Sequence, residues 1–530
     1  MRYGYQVAAV RAAERALMDL VPEGALMQRA AAGLASACAG LLARHPGHVY
    51  GARVVVLAGS GDNGGDALYA GALLARRGAA VTAIAAGPKV HEGGLAGLRA
   101  AGGRLAGGPG DPGGPCDPGD DGRLREAGGV IARADLIIDG LLGIGGRGGL
   151  REPFAGLAAA ADQARAGDAA VVAVDLPSGI DADTGAVDGP AVRADVTATF
   201  GVIKPGLLID PGAGHAGAVE LIDIGLGPHL AGEPAALAPQ AGDIGALLPR
   251  PGPESDKYRR GVVGVLAGSD RYAGAAVLAT GGAVRGGAGL VRVVTATIPA
   301  AAVRRAWPEA VLSVHPDEGD WDLPGSVGRV QAWVAGPGMG TGPDAVLRLA
   351  AVLDSGLPVL VDADGLTILS QHRGMLLHAR AAPVLITPHA GELSRLLGTD
   401  PASIEAGRLE HARRAAEQLG VTVLLKGSTT VIASPGDPTV LVNPTGTPWL
   451  ATAGTGDVLS GLAGALLAQG LEPAWAAATA AYLHGLAARL AAAGTRRPGR
   501  RKAADEPVPE APIGAFDVIT ALPAAIRSVS

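Results

Sequence analysis

Apolar residues along this chain follow two rhythms that alternate, and the alternation occurs twice. Short runs of β-branched and aliphatic residues are separated by Ala-rich stretches with helical spacing. An Ala-rich segment, Tyr5–Leu42, has few helix breakers. Val54–Leu57 then predicts a strand, followed by a glycine loop and a helix through Arg76. Val81–Ile84, Leu136–Asp139, Val171–Asp175 and Val196–Phe200 predict further strands, each ending at a loop of Gly, Pro, Ser or Asp. Short apolar strands separated by helices imply a parallel sheet covered on both faces.

Around Gly225–Gly252 the pattern dissolves into Pro, Gly and Ala, which predicts a linker. It then restarts with a strand at Val262–Ala267, a helix at Ala273–Arg285 and a strand at Leu290–Thr295. Gln331–Ala335, Pro358–Asp362, Val384–Thr387 and Val421–Lys426 predict more strands, and Asp457–Ala468 and Pro473–Ala493 predict long helices. The chain has 530 residues, too many for one core. We expect two tandem three-layer α/β domains, residues 1–228 and 240–530. Gly107–Gly129 reads as a low-complexity surface loop, and Gly494–Pro512 as an insertion before a last helix.

Composition narrows the partners. With 44 basic and 50 acidic residues the net charge is -6, which favours neither nucleic acid nor an anionic membrane. The basic stretch Arg496–Lys502 reads as a solvated loop. Cys38 and Cys116 stand far apart, which suits a reducing compartment and builds no metal cage. The first residues lack the apolar core of an export signal, and Gln469 and Glu472 interrupt the best candidate for a membrane span. A soluble cytoplasmic homo-oligomer acting on small molecules is expected. The 84 glycines make isolated glycine motifs uninformative, so context decides.

Three strand ends in the first half carry chemistry. The loop Gly59–Asp66 and the loop Leu141–Gly149 are glycine-rich, suiting close approach of backbone N–H groups to phosphate. Asp175–Asp181 (DLPSGID) follows a third strand. Asn63, Asp139 and Ser178 offer hard oxygens that suit a monovalent or weakly held hard cation better than zinc. Asp175 is the candidate acid/base, and Lys204 either shifts its pKa, meets a phosphate or is solvated. In the second half, Ala451–Gly461 opens a long helix with a Gly-Thr-Gly turn. Such a turn aims N–H groups at a transferring phosphoryl group, with Asp457 placed to take a proton from a hydroxyl. Lys426–Val431 suits adenosine phosphates; His389 either orients a substrate or caps the helix near Glu392.

The series around Gly59–Asp66, IIDGLLGIG, VDLPSGID and TFGVIKPGL resembles the N-terminal domain of NAD(P)H-hydrate epimerases, a Rossmann-like fold. The second half resembles the ribokinase-like ADP- or ATP-dependent NAD(P)H-hydrate dehydratases, including Asp256–Gly261 and Gly274–Ala279. The resemblance implies that Asn63, Asp139 and Ser178 hold potassium. It also implies that Asp62, Asn63, Gly64, Gly65 and Asp66, with Gly143, Ile144, Gly145, Gly146, Arg147, Gly148 and Gly149, contact the dinucleotide. Asp175 would lie beside the nicotinamide ring. Ala276, Gly338, His389 and Asp457 would contact the hydrated dinucleotide in the second half. Lys426, Gly427, Ser428, Thr429, Thr430 and Gly456 would contact ADP or ATP, with Mg2+ accompanying it. The implied function is epimerisation of the hydrates at ring carbon 6, then dehydration of one epimer. The competing reading is a small-molecule kinase of ribokinase type with an N-terminal dinucleotide-binding or scaffolding module. The family usually has Asn at 62, Gly at 67, His at 256 and Gly at 453, where this chain has Asp, Ala, Asp and Ala. It also tends to Pro-Gly-Met where Trp449 and Leu450 stand.

Overall fold

A computed structural model of the chain describes residues 1–44, 47–87, 89–106, 121–146, 148–315, 327–377, 382–494 and 510–530. The expectations for Arg147, Cys116 and residues 107–120 and 495–509 lie outside the described residues. The chain divides into two compact units, Tyr3–Ala236 and Leu237–Ser530 with Met1–Arg2.

The first unit is built on a seven-stranded sheet. Its order is Arg104–Ala106, Ala80–Ala85, Arg53–Ala58, Leu136–Gly140, Ala170–Val174, Val196–Phe200, Ala218–Ile222. Every pair is parallel. Alternate residues of one strand serve opposite faces: Val54, Val56 and Ala58 pack with helices Ala25–Arg44 and Asp62–Arg76. Val55 and Leu57 pack with helix Phe154–Ala166. The strand order reverses between Arg53–Ala58 and Leu136–Gly140, and ligands of open α/β sheets bind at such a switch point. The loops there meet backbone to backbone. A Cβ on Gly59 would stand 2.0 Å from the Leu141 carbonyl oxygen, and one on Gly64 would stand 2.1 Å from that of Gly59.

Helix Ala25–Arg44 has the length and mean hydropathy, 1.3, of a membrane span, a candidate missed in reading the sequence. Its apolar face, Ala31, Leu34, Cys38 and Leu42, is buried in the core of the unit, and Arg29 donates to the Ile224 carbonyl. Two further expectations need correction. Asp121–Ile131 is helical, so the irregular segment does not reach Gly129. The stretch taken for a linker contains the strand Ala236–Ala238 and the helix Ala241–Leu247, capped by Gln240 and Asp243. Pro and Gly there mark turns between short elements.

In the second unit the strands run Val440–Asn443, Thr430–Ala433, Thr422–Leu425, Val384–Ile386, Val359–Val361, Ala332–Ala335, Val262–Leu266, Leu290–Thr295, Val311–Val314. The sheet is mixed rather than all parallel. Thr422–Leu425 pairs antiparallel with Thr430–Ala433, which pairs antiparallel with Val440–Asn443. Lys426–Thr429 is therefore the connection of a hairpin. Helices Ala273–Arg285, Thr455–Ala468, Pro473–Ala493 and Ala515–Val529 share one apolar cluster with Val263, Val265, Val334, Leu360 and Leu424. Helices Pro343–Leu353 and Arg408–Leu419 pack on strands Ala332–Ala335 and Thr422–Leu425.

Helix Thr455–Ala468 reaches its place through two glycine contacts. A Cβ on Gly461 would stand 1.9 Å from the Ala279 carbonyl oxygen, and one on Gly282 would stand 2.2 Å from that of Val458. No rotamer relieves a clash with backbone, so the helices must separate. Gly461→Ala is expected to destabilise this unit by about 1–3 kcal/mol, the usual scale of overpacking. The measurement is the urea midpoint of the transition reported by the second unit's tryptophans; an unchanged midpoint would show that the helices are not held this close.

Candidate active sites

In the first unit, strand Ala170–Val174 ends and the backbone turns sharply. Asp175 takes a left-handed conformation, φ 66, uncommon for a residue with a side chain. Its Oδ1 accepts from the Phe200 N–H at 3.1 Å, from the Thr199 hydroxyl at 3.2 Å and from the Lys204 ammonium. Lys204 is 1% exposed, which removes the solvated alternative, and it also donates to the Thr199 hydroxyl and the Phe200 carbonyl.

Asp139 is fully buried one strand away. It accepts from the Ser178 N–H at 2.8 Å, the Ser178 hydroxyl at 2.7 Å and the Leu141 N–H at 3.3 Å. Burial pushes its pKa up to about 6 against the lowering pull of those bonds. Ser178 Oγ stands 3.2 Å from the Leu142 carbonyl oxygen. Asn63 faces Gly143, whose Cβ would fall 3.0 Å from Asn63 Oδ1. Among the described residues Asn63 Nδ2 is buried without a partner. Asp139 and Ser178 thus bond to each other, and Asn63 meets the same loop at Gly143; among the described residues, which do not include Arg147, no cationic side chain pairs with Asp139.

Helix Asp62–Arg76 starts here, with Asp62 exposed and Gly64, Gly65 and Asp66 buried. One oxygen of Asp66 is buried with no partner among the described residues. Burial first, then the charges of Asp175, Asp62 and Glu14, raise Asp66 well above the carboxylate range. Two contributors were not foreseen. Glu14, on helix Val7–Met18, is raised by burial against the opposing pull of Lys204. Arg11, one turn earlier, brings its guanidinium to 3.2 Å from where a Cβ on Gly145 would stand. A charged pair in an Ala-rich amphipathic helix reads as its solvated face; only the tertiary fold turns it toward the site.

The second unit gathers its polar residues at the corresponding strand ends. Asp362 follows strand Val359–Val361 and is buried. It binds the Lys426 ammonium at 2.9 Å and accepts from the Ser460 hydroxyl at 2.7 Å. Lys426 also lies 3.6 Å from Glu392. Burial works to lower the Lys426 pKa, but Asp362, Glu392 and Asp457 outweigh it and the net shift is upward. Ala363, at φ 51, turns the backbone so that Asp364 accepts from the Gly340 N–H at 2.9 Å.

Gly454, at φ 85, forms the turn before helix Thr455–Ala468. The Thr455 hydroxyl bonds the Leu450 and Thr452 carbonyls, and the buried His484 donates Nε2–H to the Thr455 carbonyl at 2.9 Å. Burial lowers the His484 pKa to about 4, so it stays neutral. Among the described residues no partner is recorded for the N–H groups of Gly456 and Asp457, at the positive end of the helix dipole. Asp457 is pushed up to about 7 by burial first, then by Asp362, against the lowering effect of Lys426.

A cavity of about 440 Å³ opens beside this turn, lined by His389, Lys426, Gly427, Ser428, Thr430 and Gly456 among others. Thr429 is buried. His389 caps its helix, its Nδ1 accepting from the Gly391 and Glu392 N–H groups. The capping alternative is therefore present together with the cavity position. Ala276 is fully buried against Gly268, and Gly338 packs on Ala275 and Tyr272. His484 was missed in the sequence because it sits alone in an Ala-rich helix.

Residues 23–206 match the family model for the YjeF-related protein N-terminus, and residues 263–502 match that for NAD(P)H-hydrate dehydratase. The bifunctional NAD(P)H-hydrate repair enzyme of Mycobacterium leprae is 47% identical over 494 residues, 93% of this chain and 95% of that protein. Its Moorella thermoacetica counterpart is 34% identical, covering 93% of each. The crystal structure of the Bacillus subtilis ADP/ATP-dependent NAD(P)H-hydrate dehydratase, co-crystallised with ATP/Mg2+, is 29% identical. It covers 55% of this chain and 98% of its own, with TM-score 0.47. By identity maintained across both units, this chain belongs to the family of bifunctional NAD(P)H-hydrate repair enzymes.

Proposed function

We propose that the first unit interconverts the R and S hydrates of NADH and NADPH at ring carbon 6, and that the second dehydrates the S hydrate with ADP or ATP. The observation that carries the second assignment is the pair of amides at Gly456 and Asp457, unpartnered among the described residues, beside a nucleotide-sized cavity. A transferring phosphoryl group is an anion, and free N–H groups at a helix start are its natural ligands. Asp457 follows directly and takes the proton from the C6 hydroxyl as that oxygen attacks the terminal phosphorus; the bridging P–O bond breaks and ADP leaves from ATP, or AMP from ADP. The C6–O bond then breaks with phosphate leaving, N1 donates its lone pair, and loss of a C5 proton restores the dihydronicotinamide. Among the described residues no group of three or more His, Cys, Asp or Glu is set to hold a metal. Magnesium would accompany the nucleotide, where it would neutralise phosphate charge.

In the first unit the C6 hydroxyl takes a proton from Asp175, the candidate acid/base, and departs as water while N1 donates its lone pair to the ring; water then adds to the opposite face and returns a proton to Asp175. Asp175 supplies negative charge beside the cationic ring, held there by Lys204 and Thr199. Potassium suits the Asn63, Asp139 and Ser178 oxygens, because the buried Asp139 charge needs a counter-ion. It would fix the two glycine loops against each other at the dinucleotide. A cytoplasmic location accords with the buried free thiol of Cys38.

Asp175→Asn keeps the shape and removes the charge. With an epimer mixture and ATP, this variant is expected to stop once the S hydrate is consumed, leaving only spontaneous epimerisation. Chromatography of the residual R hydrate measures this, and complete consumption at the wild-type rate would exclude Asp175 from the reaction.

A base must be ionised to act, so dehydration is expected to fall as pH drops below about 7, the value to which burial raises Asp457. Above it the rate levels off. Asp457→Asn should retain ATP binding while losing roughly 10²–10⁴ in dehydration, the usual contribution of a positioned base. Recovery of dihydronicotinamide absorbance reports the rate; a flat acid limb or near-normal turnover in the variant would refute the role. Release of free phosphate, rather than a stable phosphorylated product, separates dehydratase from kinase.

A further inference from the structure

Arg408 opens the helix Arg408–Leu419 and is only 2% exposed. Taking a guanidinium out of water is costly unless its donors are satisfied. Its Nη2 donates to the carbonyls of Lys426 at 2.7 Å, Leu425 at 3.2 Å and Thr429 at 3.4 Å. Its Nη1 donates to Glu405 at 2.5 Å, and Glu405 lines the same cavity as Lys426 and Gly427. All three carbonyls belong to the hairpin connection and its strand ends.

The orientation of one peptide unit follows. In a trans peptide the carbonyl and the next N–H point in opposite directions. With the Lys426 carbonyl drawn to Arg408, the Gly427 N–H is turned away from the guanidinium, toward the cavity that Gly427 lines. Among the described residues no partner is recorded for that N–H. The neighbouring Lys426 N–H is already committed to the Pro388 carbonyl at 2.8 Å. Gly427 completes the arrangement: a Cβ there would stand 2.2 Å from Arg408 Nη2 and 2.5 Å from Cζ. The guanidinium fills the space a side chain at 427 would need. A side chain at 427 therefore cannot be added without displacing Arg408.

We propose that Arg408 is a positioning residue for nucleotide binding, which holds the Lys426–Gly427 peptide so that the Gly427 N–H faces the cavity as a donor to the adenosine nucleotide. This rests on the reading of that cavity as the nucleotide site. A lysine could not replace it, since a point charge on a shorter stem does not span three carbonyls and a carboxylate.

The test is equilibrium titration of the full chain with ATP–Mg2+ and with ADP, no hydrate present. Arg408→Met, which keeps the bulk and removes the donors, is expected to raise the nucleotide Kd at least tenfold. Its rate of R/S interconversion, measured without nucleotide, should match wild type. Gly427→Ala retains every Arg408 donor yet displaces the guanidinium, so its Kd should rise in the same way. The double variant should bind no more weakly than the weaker single, because both act through one peptide. The inference is overturned if a folded Arg408→Met protein binds within twofold of wild type, losing only thermal stability. It is equally overturned if Gly427→Ala binds normally, or if the two losses multiply. Should Arg408→Met fail to fold, Gly427→Ala decides. A wild-type chain that binds neither nucleotide would remove the nucleotide reading itself, whereas normal wild-type binding with unaffected variants removes only the role of Arg408.

Discussion

Both candidate sites are organised around a lysine bound to a strand-end aspartate: Lys204, buried, on Asp175, and Lys426, on the cavity wall, on Asp362. Desolvating two such charges is costly, and their attraction offsets that only with supporting hydrogen bonds. Thr199 and the Phe200 N–H supply them in one unit, Ser460 in the other. Each strand end also bends through a left-handed residue with a side chain, Asp175 or Ala363. Such conformations persist only where surrounding bonds over-determine them. The pair and the bent backbone therefore stabilise each other.

That arrangement sorts the remaining carboxylates. Burial drives neighbouring carboxyl groups toward the neutral form, in the second unit even against the pull of the lysine. Asp66 in the first unit and Asp457 in the second are both raised by burial, with the paired aspartate adding further repulsion. Carboxyl groups perturbed in this way mark candidate functional sites. The parallel sheets make this possible by delivering several strand ends to one edge. In the second unit, strands Val262–Leu266, Ala332–Ala335, Val359–Val361 and Val384–Ile386 lead into Gly268, Gly336–Gly340, Asp362 and His389 respectively.

The strands and their loops were legible because a parallel strand buried on both faces is a continuous apolar run, and its end must be marked by turn residues. Helix Ala273–Arg285 and strand Leu290–Thr295 follow the sequence pattern residue for residue. The antiparallel hairpin was not legible. Thr430–Ala433 and Val440–Asn443 are as apolar as their parallel neighbours, and pairing direction leaves no trace in such short runs. Glycine loops announced the sites, but the residues that hold them did not. Arg408 and Glu14 sit in charged helical stretches whose pattern matches a solvated face, and only packing shows that they point inward.

The departures from the family pattern fall where the fold can absorb them. Asp62 is exposed at the first turn of its helix, where a negative charge meets the positive dipole end. Ala67 is fully buried, and its methyl faces Gly140, where a Cβ would come within 2.6 Å; the missing side chain on the strand makes room for the added one on the helix. Ala453 is exposed on the turn before the unpartnered amides, while Gly454 keeps the left-handed step and Thr455 ties the turn to Leu450 and Thr452. Leu450 takes part through its carbonyl, a group every residue type provides. What the turn requires is backbone direction, and that is set by Gly454, Thr455 and His484, none of which departs from what the turn's geometry needs.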